Sequence, residues 1–246
     1  MRIGILGTGS YVPEKVLTND DLAKIVDTND EWITTRTGIK ERRIASENEA
    51  TSDLAFCAAK KAINDAGIDK NEIDLIIVAT MTPDHFTPST AALVQDKLGI
   101  KAAAFDISAA CTGFVYAFTT GYSFIKSGIY KKVLVIGAET MSRVMDWSDR
   151  GTCILFGDGS GAVVLGEVQT GGFCASHLVA DGSGACELIV PAGGSRKVVT
   201  VEALENKETY LQMNGREIFK FAVKVFPESV DDVLKQQNIT ADDIDL

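Results

Sequence analysis

Apolar and polar positions along this chain follow two periods. Short runs at 3–6, 75–79, 102–107, 133–137 and 162–165 predict strands. Several are apolar on both faces, as in strands buried within a mostly parallel sheet. Between them lie stretches with helical apolar spacing and readable ends. One runs from a Thr51 or Ser52 cap to Gly67, a second from near Ser89 to Gly99, and a third from Thr112 to Lys126, ahead of Gly128. Alternation of this kind predicts an α/β fold.

A repeat runs through the pattern. Residues 68–75 read Ile-Asp-Lys-Asn-Glu-Ile-Asp-Leu, and residues 239–246 read Ile-Thr-Ala-Asp-Asp-Ile-Asp-Leu. Each follows an amphipathic helical stretch, 52–66 and 214–237. A buried strand follows the first copy, so the repeat predicts a further strand after Leu246 and a C-terminal piece that this chain lacks.

At 246 residues and 46% hydrophobic, the chain can bury one large core or two modest ones. A net charge of −10 argues against a nucleic-acid-binding or anionic-membrane surface. The five cysteines, at 57, 111, 153, 174 and 186, form no Cys-x-x-Cys, and His85 and His177 are far apart in sequence. Free thiols in a reducing compartment are expected, and no metal site. Met1 leads straight into Arg2-Ile3-Gly4-Ile5-Leu6, and no apolar run approaches membrane-spanning length. The chain reads as soluble and cytoplasmic.

Among the motifs, Gly7-Thr8-Gly9-Ser10 lacks the third glycine of a dinucleotide loop, with Val12 in its place and Pro13 following, and reads as a turn. Gly157-Asp158-Gly159-Ser160-Gly161 has no lysine to meet phosphate and reads as a tight turn packed against another element. No Gly-x-Ser-x-Gly supports a serine hydrolase, and neither histidine has surroundings that suggest a catalytic base. Cys111 is different. In Phe105-Asp106-Ile107-Ser108-Ala109-Ala110-Cys111-Thr112-Gly113-Phe114 it falls where a strand ends and a helix starts. Unpaired N–H groups and the positive end of the helix dipole favour a thiolate there, and small neighbours admit a substrate. The same pattern also fits a small core cysteine.

Three motifs in order carry a family resemblance: Asp30-Glu31-Trp32-Ile33-Thr34-Thr35-Arg36-Thr37-Gly38-Ile39, Ser108-Ala109-Ala110-Cys111-Thr112-Gly113-Phe114 and Ile154-Leu155-Phe156-Gly157-Asp158-Gly159-Ser160-Gly161-Ala162. The chain resembles the 3-ketoacyl-acyl carrier protein synthase III family from Met1 to Leu246. The resemblance implies a thiolase-like fold of two duplicated halves, each with a central sheet, in a five-layer sandwich. It places an N-terminal half at 1–170 and an incomplete second half at 171–246. It implies an acyltransferase that starts fatty-acid synthesis, a homodimer, and no cofactor, with acyl-coenzyme A as substrate. Cys111 matches the nucleophile, which takes the acyl group and passes it to the carbanion formed as malonyl-acyl carrier protein loses carbon dioxide. The family's His and Asn, which stabilise the enolate, are expected beyond Leu246. The chain alone is therefore not expected to condense. A related synthase with another acceptor, or a non-catalytic fragment, are the competing readings.

The resemblance also implies substrate contacts. Thr28, Trp32, Arg36 and Arg150 match positions around the coenzyme A adenine and phosphates, where an indole and a guanidinium can sandwich a purine. Without the family, Trp32 is a helix-packing aromatic and the arginines are solvated charges. Met213 and Phe219 match positions near the pantetheine tunnel, or are core. Phe86 matches a residue that crosses the dimer to floor the partner's acyl pocket, and Met141 and Phe156 match that pocket's lining. Arg216, Lys220 and Lys224, four apart, form a basic helix stripe suited to an acidic carrier protein or simply solvated.

Overall fold

The computed structural model describes residues 1–245; Leu246, the last position of the second repeat copy, lies outside the described residues. In chain order its elements are β1 (Ile3–Tyr11), β2 (Lys15–Thr18), α1 (Asn19–Leu22), α2 (Asp30–Thr37), β3 (Glu41–Ile44), α3 (Thr51–Asp65), β4 (Leu75–Ala79), α4 (Thr90–Leu98), β5 (Ala103–Ile107), α5 (Gly113–Lys126), β6 (Val133–Thr140), α6 (Arg150–Cys153), β7 (Asp158–Glu167), β8 (Leu188–Ile189), α7 (Val201–Glu205), β9 (Gln212–Met213) and α8 (Gly215–Gln237).

The central sheet runs β1-β7-β6-β4-β5. β4 pairs parallel with β5 and β6, whereas β7 is antiparallel to β6 and to β1. The parallel strands are linked through α4 and α5, which explains their near-continuous apolar runs: every residue of β4 is buried. On one face α3 and α4 pack through Ala55, Ala58, Ala59, Ala62, Ala91 and Val94. On the other, α5 contributes Ala117 and Ile125. The helix ends follow the expected chemistry. Ser89 caps α4 by accepting from the Ala92 N–H, and Gly99 closes it at φ +63°.

Two glycine motifs expected as turns lie in strands. Gly7-Thr8-Gly9-Ser10 belongs to β1, which runs on to Tyr11. A Cβ at Gly7 would lie 2.2 Å from the Ala66 nitrogen, and one at Gly9 would lie 2.3 Å from the Ala58 carbonyl oxygen. The glycines let the α3 backbone rest directly on the strand. Asp158-Gly159-Ser160-Gly161 likewise opens β7. Buried Asp158 accepts from the Ala45 N–H (2.7 Å), the Ser142 N–H (2.8 Å) and the Ser142 hydroxyl (2.6 Å), while the Ser160 hydroxyl donates to the Leu54 carbonyl (2.6 Å). The motif is a strand terminus that ties three neighbouring segments together. The α3 cap also differs from expectation. Ala50 is its N-cap, and the Ser52 N–H and hydroxyl donate to the Asp84 carboxylate at 2.8 and 2.7 Å. The helix start is satisfied by a loop far along the chain, which local sequence does not reveal.

The repeat has a structural counterpart. After α3 comes Gly67 at φ +63°, and after α8 comes Asn238 at φ +53°. Each is followed by a short 3₁₀ turn closed reciprocally, by Asp69 with Glu72 and by Thr240 with Asp243. The helices differ in burial. α3 buries Leu54, Ala55, Ala58, Ala59, Ala62 and Ile63, whereas α8 buries none of its residues and leaves Phe219, Phe221, Val223 and Phe226 exposed. Among the described residues no helix is long and apolar enough to cross a membrane, and no group of three or more His, Cys, Asp or Glu can hold a metal ion.

Candidate active site

Cys111 sits in a 3₁₀ turn, Ala110–Thr112, between β5 and α5. Ala110 adopts φ +48°, a left-handed conformation costly for a residue with a Cβ. That turn reverses the chain within a few residues and leaves Cys111 exposed. The start of α5 carries no side-chain cap and no acidic residue, because the Thr112 hydroxyl donates instead to the Ala109 carbonyl at 3.0 Å. Negative charge formed on the sulfur or on a bound carbonyl oxygen would face the positive end of a 14-residue helix. Close packing seats that helix end: a Cβ at Gly113 would lie 3.2 Å from the Ala79 Cβ, and Phe114 covers Gly137.

Beside this turn, the segment after β4 is held by a polar network. Glu139, at the end of β6, accepts from the Met81 N–H (2.8 Å), the Thr82 N–H (3.1 Å) and the Thr82 hydroxyl (2.5 Å). Burial pushes the Glu139 carboxyl above its ordinary range, and these donors pull against that rise. The Thr140 N–H donates to the Thr82 hydroxyl oxygen at 2.8 Å. Anchored there and at Asp84, the loop presents Phe86 at 92% exposure. It borders a groove of about 960 Å³ whose lining includes Met81, Asp84, His85, Phe86 and Arg143, and Cys111 is not part of that lining. The other histidine, His177, has Nε2 3.3 Å from an Asp232 carboxylate oxygen on α8.

A second cluster forms around Trp32. The Arg36 guanidinium carbon lies 4.3 Å from the ring centroid, and that of Arg150 lies 4.8 Å from it. Arg36 and Trp32 are one turn apart on α2, whereas Arg150 opens α6 and donates to the Asp27 carbonyl at 2.8 Å. The Thr28 hydroxyl oxygen is buried without a hydrogen-bond partner among the described residues. The indole also packs against the cluster of Leu22, Ile33, Cys153 and Ile154, so it is both a packing aromatic and a cation-covered platform. Trp147 joins the same cluster, which accounts for an aromatic residue in the Asp146–Asp149 loop.

The remaining candidates are dispersed. Met141 begins the 3₁₀ turn after β6, and Phe156 lies between α6 and β7; both are half-buried. Met213 is half-buried on β9, paired with Leu188, whereas Phe219 is 67% exposed and not a core residue. Arg216, Lys220 and Lys224 are exposed on α8, but Lys220 already pairs with Glu217 at 2.6 Å, so the basic stripe is partly neutralised. Sequence reading missed Arg42 and Asn19, 5% and 1% exposed, which link α2 to α6. One signal was present: Arg42 alternates with Ile44 and so shares the inward face of β3.

The mixed sheet, covered by helices on both faces, with a cysteine at the turn from β5 to α5, defines a thiolase-like α/β protein. Residues 105–182 match the family model described as 3-oxoacyl-[acyl-carrier-protein (ACP)] synthase III. The beta-ketoacyl-[acyl-carrier-protein] synthase III of Caldanaerobacter subterraneus subsp. tengcongensis is 55% identical over 245 residues, covering 99% of this chain and 74% of the relative. The crystal structure of 3-oxoacyl-[acyl-carrier-protein] synthase III from Aquifex aeolicus VF5 superposes with a TM-score of 0.89 at 48% identity, covering 99% of this chain and 75% of that one. The priming beta-ketosynthase of the R1128 polyketide biosynthetic pathway superposes at 0.83 with 30% identity, covering 98% and 79%. The chain belongs to the beta-ketoacyl-[acyl-carrier-protein] synthase III family, and is thus of an enzyme family of acyltransferases.

Proposed function

We propose that this chain forms the acyl-enzyme of a synthase that starts fatty-acid synthesis, with Cys111 as nucleophile. The location of Cys111 at the uncapped start of α5 carries the reading. The Cys111 thiolate attacks the thioester carbonyl of acyl-coenzyme A, and the backbone N–H of Cys111 faces the oxyanion. Collapse expels the coenzyme A thiolate and leaves an acyl-cysteine. Malonyl-acyl carrier protein then loses carbon dioxide, and its enolate carbon attacks the acyl-cysteine, returning the Cys111 thiolate. The family's His and Asn for that second step are expected beyond Leu246, and neither His85 nor His177 is assigned to it. Residues 1–246 carry the acylation step, and turnover with malonyl-acyl carrier protein is measured on a chain that also carries that His and Asn.

Trp32, Arg36, Arg150 and Thr28 bind the nucleotide end of coenzyme A in this reading, the guanidiniums meeting phosphate and the indole meeting adenine. Met213 and Phe219 flank the pantetheine arm, and Met141 and Phe156 line the acyl pocket. Phe86 on its anchored loop and the open edge of β5 support a homodimer, in which Phe86 enters the partner's acyl pocket. Residues 1–170 form one thiolase-like half and 171–246 part of a second, which the matched turns after α3 and α8 support. Five unpaired cysteines fit a cytoplasmic protein.

Intact mass after incubation with acetyl-coenzyme A tests the assignment. One acetyl adduct per chain is expected, and none with any coenzyme A thioester would overturn it. A synthase with another acceptor is the competing reading. Turnover with malonyl-acyl carrier protein but not with malonyl- or acetoacetyl-coenzyme A separates the two. Carrier docking on Arg216, Lys220 and Lys224 makes a further prediction. Lys220→Glu raises the apparent KM for malonyl-acyl carrier protein several-fold and leaves acetyl transfer from coenzyme A intact. Equal losses in both half-reactions would reject the docking surface.

A further inference from the structure

We infer that Arg42 and Asn19 are positioning residues for the nucleotide end of acyl-coenzyme A, locking the helix that carries Trp32 and Arg36 in register with the one that carries Arg150. The inference rests on the nucleotide-site reading above.

The connection is continuous, buried at Arg42 and Asn19 and half-buried where it reaches Asp30. Arg42 Nη2 donates to Asn19 Oδ1 at 2.9 Å and to the Ile154 carbonyl at 3.0 Å, while Nη1 donates to the Leu17 carbonyl at 3.2 Å. Asn19 Nδ2 in turn donates to Asp30 Oδ1 and to the Ile39 carbonyl, both at 2.8 Å. Ile154 is the C-cap of α6, which begins at Arg150, and Asp30 is the first residue of α2. The relay therefore reaches from the end of one short helix to the start of another. Its amide orientation follows from its partners, with an oxygen toward a guanidinium and a nitrogen toward a carboxylate.

Geometry explains why a guanidinium occupies this place. α6 has four residues and α2 has eight, too few to hold their own conformation or mutual placement without tertiary contacts. The Arg42 acceptors in this relay are two carbonyls and one amide oxygen, converging from two chain segments, 17–19 and the end of α6. A planar fork can reach all three, whereas an ammonium is a point donor. Burial depresses the Arg42 ionisation equilibrium, a cost that these acceptors partly offset. Gly157 admits the arginine, since a Cβ there would lie 3.0 Å from the Arg42 Cβ. The spacing of both guanidiniums from the Trp32 ring depends on how α2 and α6 sit relative to each other.

The test compares acyl donors that differ only in the nucleotide. Acetyl transfer to the protein is measured from acetyl-coenzyme A and from S-acetyl-pantetheine, for Arg42→Lys, Asn19→Ala and Trp32→Ala. For Arg42→Lys and Asn19→Ala the expected result is a KM for acetyl-coenzyme A raised about tenfold or more, the scale of a misplaced binding group. The acylation rate at saturation and transfer from S-acetyl-pantetheine stay within about twofold, and the Kd for coenzyme A rises in parallel by calorimetry. Equal losses with both donors would mean a merely structural role and overturn the inference. An increase for Trp32→Ala with no change for the other two also overturns it. If Trp32→Ala leaves the ratio of the two donors unchanged, the nucleotide-site reading itself fails.

Discussion

Replacing Cys111 with alanine removes the acetyl adduct and lowers turnover by on the order of 10⁴–10⁶, the loss seen when a covalent nucleophile is deleted. Nothing else in the turn can take over the step. Ser108 and Thr112 carry hydroxyls that need a strong base to become nucleophilic, and the Thr112 hydroxyl is already committed to the Ala109 carbonyl. Cys174 and Cys186 are exposed as well, so the experiment discriminates among thiols. Cys174→Ala and Cys186→Ala keep the adduct in this scheme. Retention of the adduct in Cys111→Ala, with its loss in either of the others, would move the chemistry to 174–186. Circular dichroism of Cys111→Ala is expected to match the parent, since the exposed thiol fills no core space.

Gly7→Ala destabilises the fold by about 3 kcal/mol, at the upper end of the cost of overpacking. The added methyl would stand 2.2 Å from the Ala66 nitrogen and 2.6 Å from the Ala62 carbonyl oxygen. Both are backbone atoms of the α3 region, so no rotamer change relieves the clash, and the helix must lift. Lifting it opens the alanine seam of Ala55, Ala58, Ala59 and Ala62 against the sheet. For a chain of this size the expected fall in Tm is about 6–12 °C. Gly161→Ala is the control. No atom lies within 4 Å of its added Cβ, and its effect should stay within about 0.5 kcal/mol. Similar Tm values for both variants would refute the close approach of α3 to β1.

Much of the fold was legible because its central strands have a single environment. Leu75–Ala79 and Val133–Ile136 are buried on both faces, so an apolar run predicts them without reference to the rest of the chain. The α4 and α5 boundaries were legible for a similar reason: Ser89, Gly99 and Gly128 act on their own backbone. The two glycine motifs were misjudged as turns. Glycine relieves a turn and also admits a neighbouring backbone, and only the contact with α3 distinguishes the two at Gly7 and Gly9. Trp147 and Arg42 were opaque because their partners are far along the chain; Arg42 reaches the Ile154 carbonyl across 112 residues.

By itself the sequence determined the α/β alternation, the turn that carries Cys111, the repeat after each long helix, and the motifs that mark the family. Each is encoded within a few consecutive residues, where propensity, capping and periodicity act. Only the tertiary structure decided which polar groups meet. The stacking of Arg36 and Arg150 on Trp32, the hold of Glu139 on Met81 and Thr82, and the Arg42–Asn19–Asp30 relay all join segments that chain order separates. A buried donor must find an acceptor wherever the packed chain supplies one, and that choice belongs to the whole fold.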